Sequence, residues 1–214
     1  MTDTKPSAML LAKPVAEIPD GNLAALRRKA RDCRACPLWK PATQTVFGEG
    51  PSGATIMLIG EQPGLHEDMQ GEPFVGPAGR MLDHALADAG LDRSALYLTN
   101  TVKHFKYAQR GTAKLHKRAN AAEQAACRMW LAAELARVRP KIIVALGAMA
   151  AQTLFGNAFR LSRQRGEWRA LGEHVHAMAT WHPSAILRDQ SDNRDAAYQS
   201  LVDDLRSAGQ EGGV

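Results

Sequence analysis

The sequence predicts an α/β protein: a three-layer sandwich with a central, mostly parallel four-stranded sheet and helices on both faces. Two observations predict it. Four short apolar runs, at residues 55–60, 95–99, 141–146 and 175–181, suit strands buried on both faces. The stretches between them carry helical periodicity, and strands that alternate with helices imply parallel pairing with a helical crossover.

Taken in order, residues 22–32 read as a short helix that ends just before Cys33. An irregular stretch with Pro37, Pro41 and Pro51 leads to the first strand. Residues 77–89 place Met81, Leu82, Ala85, Leu86 and Ala89 at helical spacing, with Pro77 suited to a first turn. Residues 121–138, 148–155 and 196–207 show the same periodicity. The 214 residues fit one domain over 21–214, preceded by a loosely ordered tail over 1–20. That tail has one short apolar patch, Met9-Leu-Leu-Ala12, with no positive region ahead of a long apolar stretch, which is not a signal peptide. No apolar run approaches the roughly 20 residues of a membrane span. The expected location is cytoplasmic, in the bacterial cytosol or nucleoid.

In open parallel sheets the ligand site lies beyond the carboxyl ends of the strands. The segments Glu61-Gln-Pro-Gly64, Asn100, Gly147-Ala148 and His182-Pro-Ser184 should therefore converge. The formal charge is +5, and Lys103, Lys106, Arg110, Lys114, Lys117 and Arg118 crowd a stretch without acidic residues from 101 to 122. Such a stretch is either a solvated basic loop or one that tracks phosphates.

Three cysteines do not make a disulfide scaffold. Cys33-Arg-Ala-Cys36 is compatible with a redox motif, half a zinc site or half a cluster site. Cys127 sits far downstream in a helical stretch, as a third ligand or as a small buried hydrophobe. A metal or cluster needs a fourth ligand, and His104, between the Asn100 loop and the Cys127 helix, is the best candidate.

Five motifs in order extend this reading: Gly60-Glu-Gln-Pro-Gly64, Pro73-Phe-Val-Gly-Pro-Ala-Gly79, Thr99-Asn-Thr-Val-Lys103, Ala126-Cys-Arg128 and His182-Pro-Ser184. From about Cys33 to about Leu205 the chain resembles the iron–sulfur uracil-DNA glycosylases. The resemblance implies a [4Fe–4S] cluster on Cys33, Cys36, His104 and Cys127. Ordinary members have a cysteine where this chain has His104, and they lack the basic insertion before Cys127. Both departures are similar to the UdgX branch, whose members attach covalently to DNA through the histidine of a Lys-Arg-Arg-Ile-His loop. Here the loop reads Thr112-Ala-Lys-Leu-His116: the histidine is kept and the double arginine is not.

The chemistry implied by this resemblance is cleavage of an N-glycosidic bond, which creates a sugar cation at C1′ and a uracil anion. The base must first be flipped out of the duplex or met in a single strand. Glu61 is expected beneath the sugar as a carboxylate that stabilises the cation or orients water. His182 donates to the uracil oxygen, a contribution of about 3 kcal/mol for one well-placed donor. Asn100 reads the uracil edge, and Phe74 stacks on the flipped base. Gln62, Gly64, Ser184 and Lys114 complete the expected substrate contacts. A neutral His116 near C1′ would intercept the cation, with Lys103, Lys114 and Lys117 favouring its neutral form. The expected partners are uracil-containing DNA, single-stranded DNA included, and free uracil as product; the chain is expected to be a monomer. Two alternatives stay open: a conventional multiple-turnover glycosylase, and a non-catalytic, metal-stapled DNA-binding module.

Overall fold

The computed structural model describes residues 11–214. Each of the four expected strands forms: β1 Ile56–Gly60, β2 Tyr97–Asn100, β5 Ile142–Leu146 and β7 His176–Thr180. They pair in parallel in the order β2-β1-β5-β7. The expectation of four strands is corrected to five, because β6, Arg169–Ala170, adds an antiparallel edge to β7. Two residues, one of them charged, leave no apolar signature, and an edge strand needs none.

Residues alternate between the two faces of the sheet. Met57 and Ile59 point to one side, with Ile143, Ala145, Ala177 and Ala179. There they meet α4, Ala121–Val138, through Leu131 and Leu135, and α5, Ala148–Phe155, through Ala151 and Leu154. Ile56, Leu58, Val144 and Met178 point to the other side. They pack on α3, Pro77–Ala89, through Leu82 and Leu86, and on α8, Arg194–Gly212, through Leu201 and Leu205. Both faces are covered, so the strands read as unbroken apolar runs. The helix α1, Leu23–Arg31, packs beside α4 through Leu26 and Ala30. Residues 1–10 of the expected tail lie outside the described residues; Leu11 is buried in the core, and the Ala12 N–H donates to Thr153 O at 3.0 Å.

The basic stretch is not a plain loop. Tyr107–Arg110 (β3) and Ala113–His116 (β4) form an antiparallel hairpin, with Tyr107 opposite His116. Gly111, at φ +58°, makes its tight turn.

Lys103, read from sequence as part of the basic patch, is fully buried together with Glu134 of α4, both side chains at 0% exposure. Its Nζ reaches Glu134 Oε2 at 2.6 Å, Thr99 Oγ1 at 2.6 Å and Asn100 O at 2.7 Å, which uses all three ammonium protons. Glu134 also accepts from Gly48 N at 2.8 Å and from the Thr99 hydroxyl. Breaking such a pair from one side strands a charge in the core. Lys103→Met is therefore expected to cost about 3–5 kcal/mol in urea unfolding at neutral pH. Lys103→Met combined with Glu134→Gln should recover part of that loss, since no net charge is then left buried.

Candidate active site

Parallel pairing puts the strand ends level: Gly60 is in register with Asn100, and Leu146 with Thr180. The segments that leave these ends line one cavity of about 510 Å³. It receives Glu61, Gln62 and Gly64 after β1, Asn100 at the end of β2, Gly147 after β5, and His182 and Ser184 after β7. Phe74 closes one side, and His116, at the end of β4, enters from the hairpin.

Glu61 is held by its backbone. Its carbonyl accepts from Val102 N at 3.1 Å and from Thr101 Oγ1 at 2.6 Å. Among the described residues no donor engages its carboxylate, which leaves the charge available to the cavity. Asn100 is buried, and its side-chain amide likewise has no protein partner among the described residues. Gly60 is what lets that amide come close. A Cβ built there would fall 2.3 Å from Asn100 Oδ1 and 2.6 Å from Phe74 Cζ.

Phe74 adopts φ +58°, a left-handed conformation that is costly for an aromatic residue. Arg93 holds it there: its Nη2 donates to Pro73 O and to Phe74 O, each at 3.2 Å, while Nη1 pairs with Asp83. The Phe74 ring lies 6.3 Å from the His182 ring, centre to centre, on the cavity wall.

His182 caps α7, Pro183–Arg188. Its Nδ1 accepts the Ser184 backbone N–H at 3.1 Å and lies 2.8 Å from Ser184 Oγ. A backbone N–H can only donate, so Nδ1 carries a lone pair and Nε2 carries the proton. Burial pushes the His182 pKa down to about 4, with Arg188 and His116 adding to the effect. The ring is thus a neutral donor with a fixed tautomer. His116 remains more exposed, yet loss of water holds its pKa below the ordinary 6.5; Glu61 pulls it back up and Arg188 presses it down. The lysines expected to keep His116 neutral do not carry that role. Lys103 is committed to Glu134, and the cation that acts on the ring is Arg188.

Gln62 and Lys114, the other expected substrate contacts, each have neighbours within the protein. The Gln62 side chain donates Nε2–H to Lys106 O at 3.1 Å, at the base of the hairpin, and its Oε1 is buried without a partner. Lys106 in turn pairs with Glu123 at 2.7 Å. Lys114 does not line the cavity; its ammonium lies 4.6 Å from the centre of the Tyr107 ring. Sequence reading missed Arg188 and His66, both of which line the cavity. Arg188 stands one helical turn beyond Ser184, a spacing that could have flagged it.

Cys33, Cys36 and Cys127 gather around one buried cluster that includes Leu26, Phe47 and Trp130. Trp130 Nε1–H donates to Cys33 Sγ at 3.3 Å, and Lys103 N–H to Cys127 Sγ at 3.2 Å. Burial, above all, pushes the Cys127 thiol up to about 12, and Cys36 and Cys33 are near enough to raise it further. His104 is buried nearby, with Nε2 2.9 Å from Thr45 Oγ1. The Thr45 hydroxyl gives its proton to Ala30 O at 2.8 Å, so His104 donates Nε2–H and keeps a lone pair on Nδ1. Among the described residues no three such groups close on the position of a single metal ion. No helix among the described residues is long and apolar enough to cross a membrane.

Comparison with known proteins agrees with this arrangement. A family model described as the uracil DNA glycosylase superfamily matches residues 47–206. The chain is 39% identical over 168 residues to a type-4 uracil-DNA glycosylase of Archaeoglobus fulgidus, covering 75% of this chain and 80% of that protein. It is 36% identical over 167 residues to a type-4 uracil-DNA glycosylase of Thermotoga maritima, covering 76% and 82%. A type-5 uracil-DNA glycosylase of Pyrobaculum aerophilum is 27% identical over 209 residues, covering 89% and 87%. The chain belongs to the uracil DNA glycosylase superfamily.

Proposed function

We propose that this chain excises uracil from DNA and that His116 then joins covalently to C1′ of the emptied sugar. The observation that supports this best is the meeting, in one cavity, of Glu61, Asn100 and His182 from three strand ends with His116 from the hairpin. As the C1′–N1 bond breaks, its electron pair leaves with the base. The neutral His182 donates Nε2–H to the oxygen where negative charge grows. Glu61, held by its backbone and free at its carboxylate, faces the positive sugar. Asn100 offers a donor and an acceptor to the base edge, and Phe74 a flat surface. The unprotonated ring nitrogen of His116 then forms the new bond to C1′, and the resulting imidazolium loses its N–H proton to solvent. Uracil leaves free, and the protein stays on the strand.

A second reading is conventional turnover, in which water takes the place of His116 and the abasic strand is released. The type-4 relatives favour it. Both readings use the same Glu61, Asn100 and His182.

Cys33, Cys36, Cys127 and the Nδ1 lone pair of His104 would hold a [4Fe–4S] cluster. The donor chemistry supports it: the buried Cys127 thiol, pushed up to about 12, becomes a thiolate only beside positive metal, and N–H groups already point at two of the sulfurs. When bound, the cluster would supply a structural cross-link between the segment after α1, the segment after β2 and α4.

Intact-mass measurement with a short uracil oligonucleotide should show the protein plus the oligonucleotide less one uracil. His116→Ala should abolish that species while excision, read by abasic-site cleavage, continues; Glu61→Gln should slow excision about 100-fold or more. Attachment needs the unprotonated His116 ring, so the attached fraction should fall as pH drops below 6.5 through its lowered pKa. Excision should outlast it, because His182 stays neutral down to about pH 4. Purified protein should be brown and contain iron and sulfide, and Cys127→Ser should lose both the colour and thermal stability.

A further inference from the structure

Glu67 takes no part in the chemistry above, yet its carboxylate joins two walls of the cavity. It is buried in α2, Leu65–Gln70, which starts right after Gly64. Its Oε2 accepts the Gly64 N–H at 2.9 Å, and its Oε1 accepts the Gly76 N–H at 2.8 Å. Gly64 ends the segment that carries Glu61 and Gln62, while Gly76 lies two residues past Phe74. Glycine at both positions makes room for the carboxylate. A Cβ at residue 64 would stand 2.7 Å from Oε2, and one at residue 76 would stand 3.0 Å from Oε1.

We infer that Glu67 is a positioning residue whose two oxygens set the spacing between the Glu61 segment and the Phe74 loop. This inference rests on the proposed excision of uracil for its kinetic readout. A carboxylate is the only side chain of this length with two acceptors and no donor, so it satisfies two inward-facing N–H groups at once. The Phe74 loop needs such a hold, because its left-handed residue is strained and Arg93 fixes it only from the far side, at Pro73 O and Phe74 O. Neighbouring Asp68 performs a similar task on a third segment, accepting Thr43 N at 2.9 Å and 3.1 Å, but it does not reach the cavity wall. Glu67 is also a helix cap, and capping alone would affect stability without affecting the chemical step.

Glu67→Gln keeps the length and loses one of the two acceptors; Glu67→Asp keeps the charge and cannot span both loops. Each variant should lower the single-turnover rate constant for excision from a uracil oligonucleotide about 10- to 100-fold, as expected for a wall displaced by a fraction of an ångström, with the DNA concentration at half-maximal rate within a few-fold. Hydrogen exchange should show the Gly64 or Gly76 amide opening in each variant while amides of β1 and β5 stay protected. A wild-type single-turnover excision rate in folded Glu67→Gln, or unchanged exchange at both glycines, would overturn the assignment. A wild-type protein that excises no uracil would sink the proposed function instead, and the exchange measurement alone would then decide the role of Glu67.

Discussion

The buried contact between Lys103 and Glu134 ties the end of β2 to the long helix α4. Two opposite charges at zero exposure are tolerable only when every proton and lone pair has a partner. Here the ammonium binds Glu134, Thr99 and the Asn100 carbonyl, and the carboxylate also holds Gly48. The end of β2, the long helix α4 and the irregular segment at Gly48 are thereby fixed together. The same Lys103 offers its backbone N–H to Cys127 Sγ, so the cysteine-rich region and the cavity share one short segment. Any displacement of that segment would move Asn100 as well.

Around this frame the cavity is built from groups that are free where they face inward and tied where they face outward. The Glu61 carbonyl, the His182 Nδ1 and the Phe74 carbonyl are all engaged by protein. The Glu61 carboxylate and the Asn100 amide have no protein partner among the described residues, and the His182 tautomer leaves Nε2–H as its remaining donor. Such preorganisation costs nothing at the moment of reaction. The two histidines differ because their surroundings differ. His182 is deep and close to Arg188, so it stays neutral; His116 sits on a more open hairpin and feels the opposing charge of Glu61.

The hairpin is where sequence and structure part most clearly. Its residues are polar and basic, and nothing in their periodicity distinguishes a strand from a loop. What stabilises it lies elsewhere: Gln62 and Lys117 both donate to the Lys106 carbonyl, Lys106 pairs with Glu123, and the Tyr107 hydroxyl donates to Pro41 O. Apart from Lys117, these partners come from segments outside the hairpin. Gln62, expected from sequence to contact the base, lines the cavity and also braces the element that carries His116.

The sequence by itself determined the layered architecture, the four parallel strands and the end of the sheet where the cavity forms, because hydrophobic periodicity is a local property that both faces of a covered sheet impose. It also determined most of the cavity residues, since each follows a strand directly, and it identified the cysteines that gather. Tertiary structure alone decided the antiparallel edge strand, the hairpin, the burial of Lys103 and the left-handed Phe74. It alone brought Arg188 to the two histidines and fixed the tautomer of His182. Each of these depends on which distant group stands opposite, and Coulomb forces and hydrogen bonds act between neighbours in space, whatever their separation along the chain.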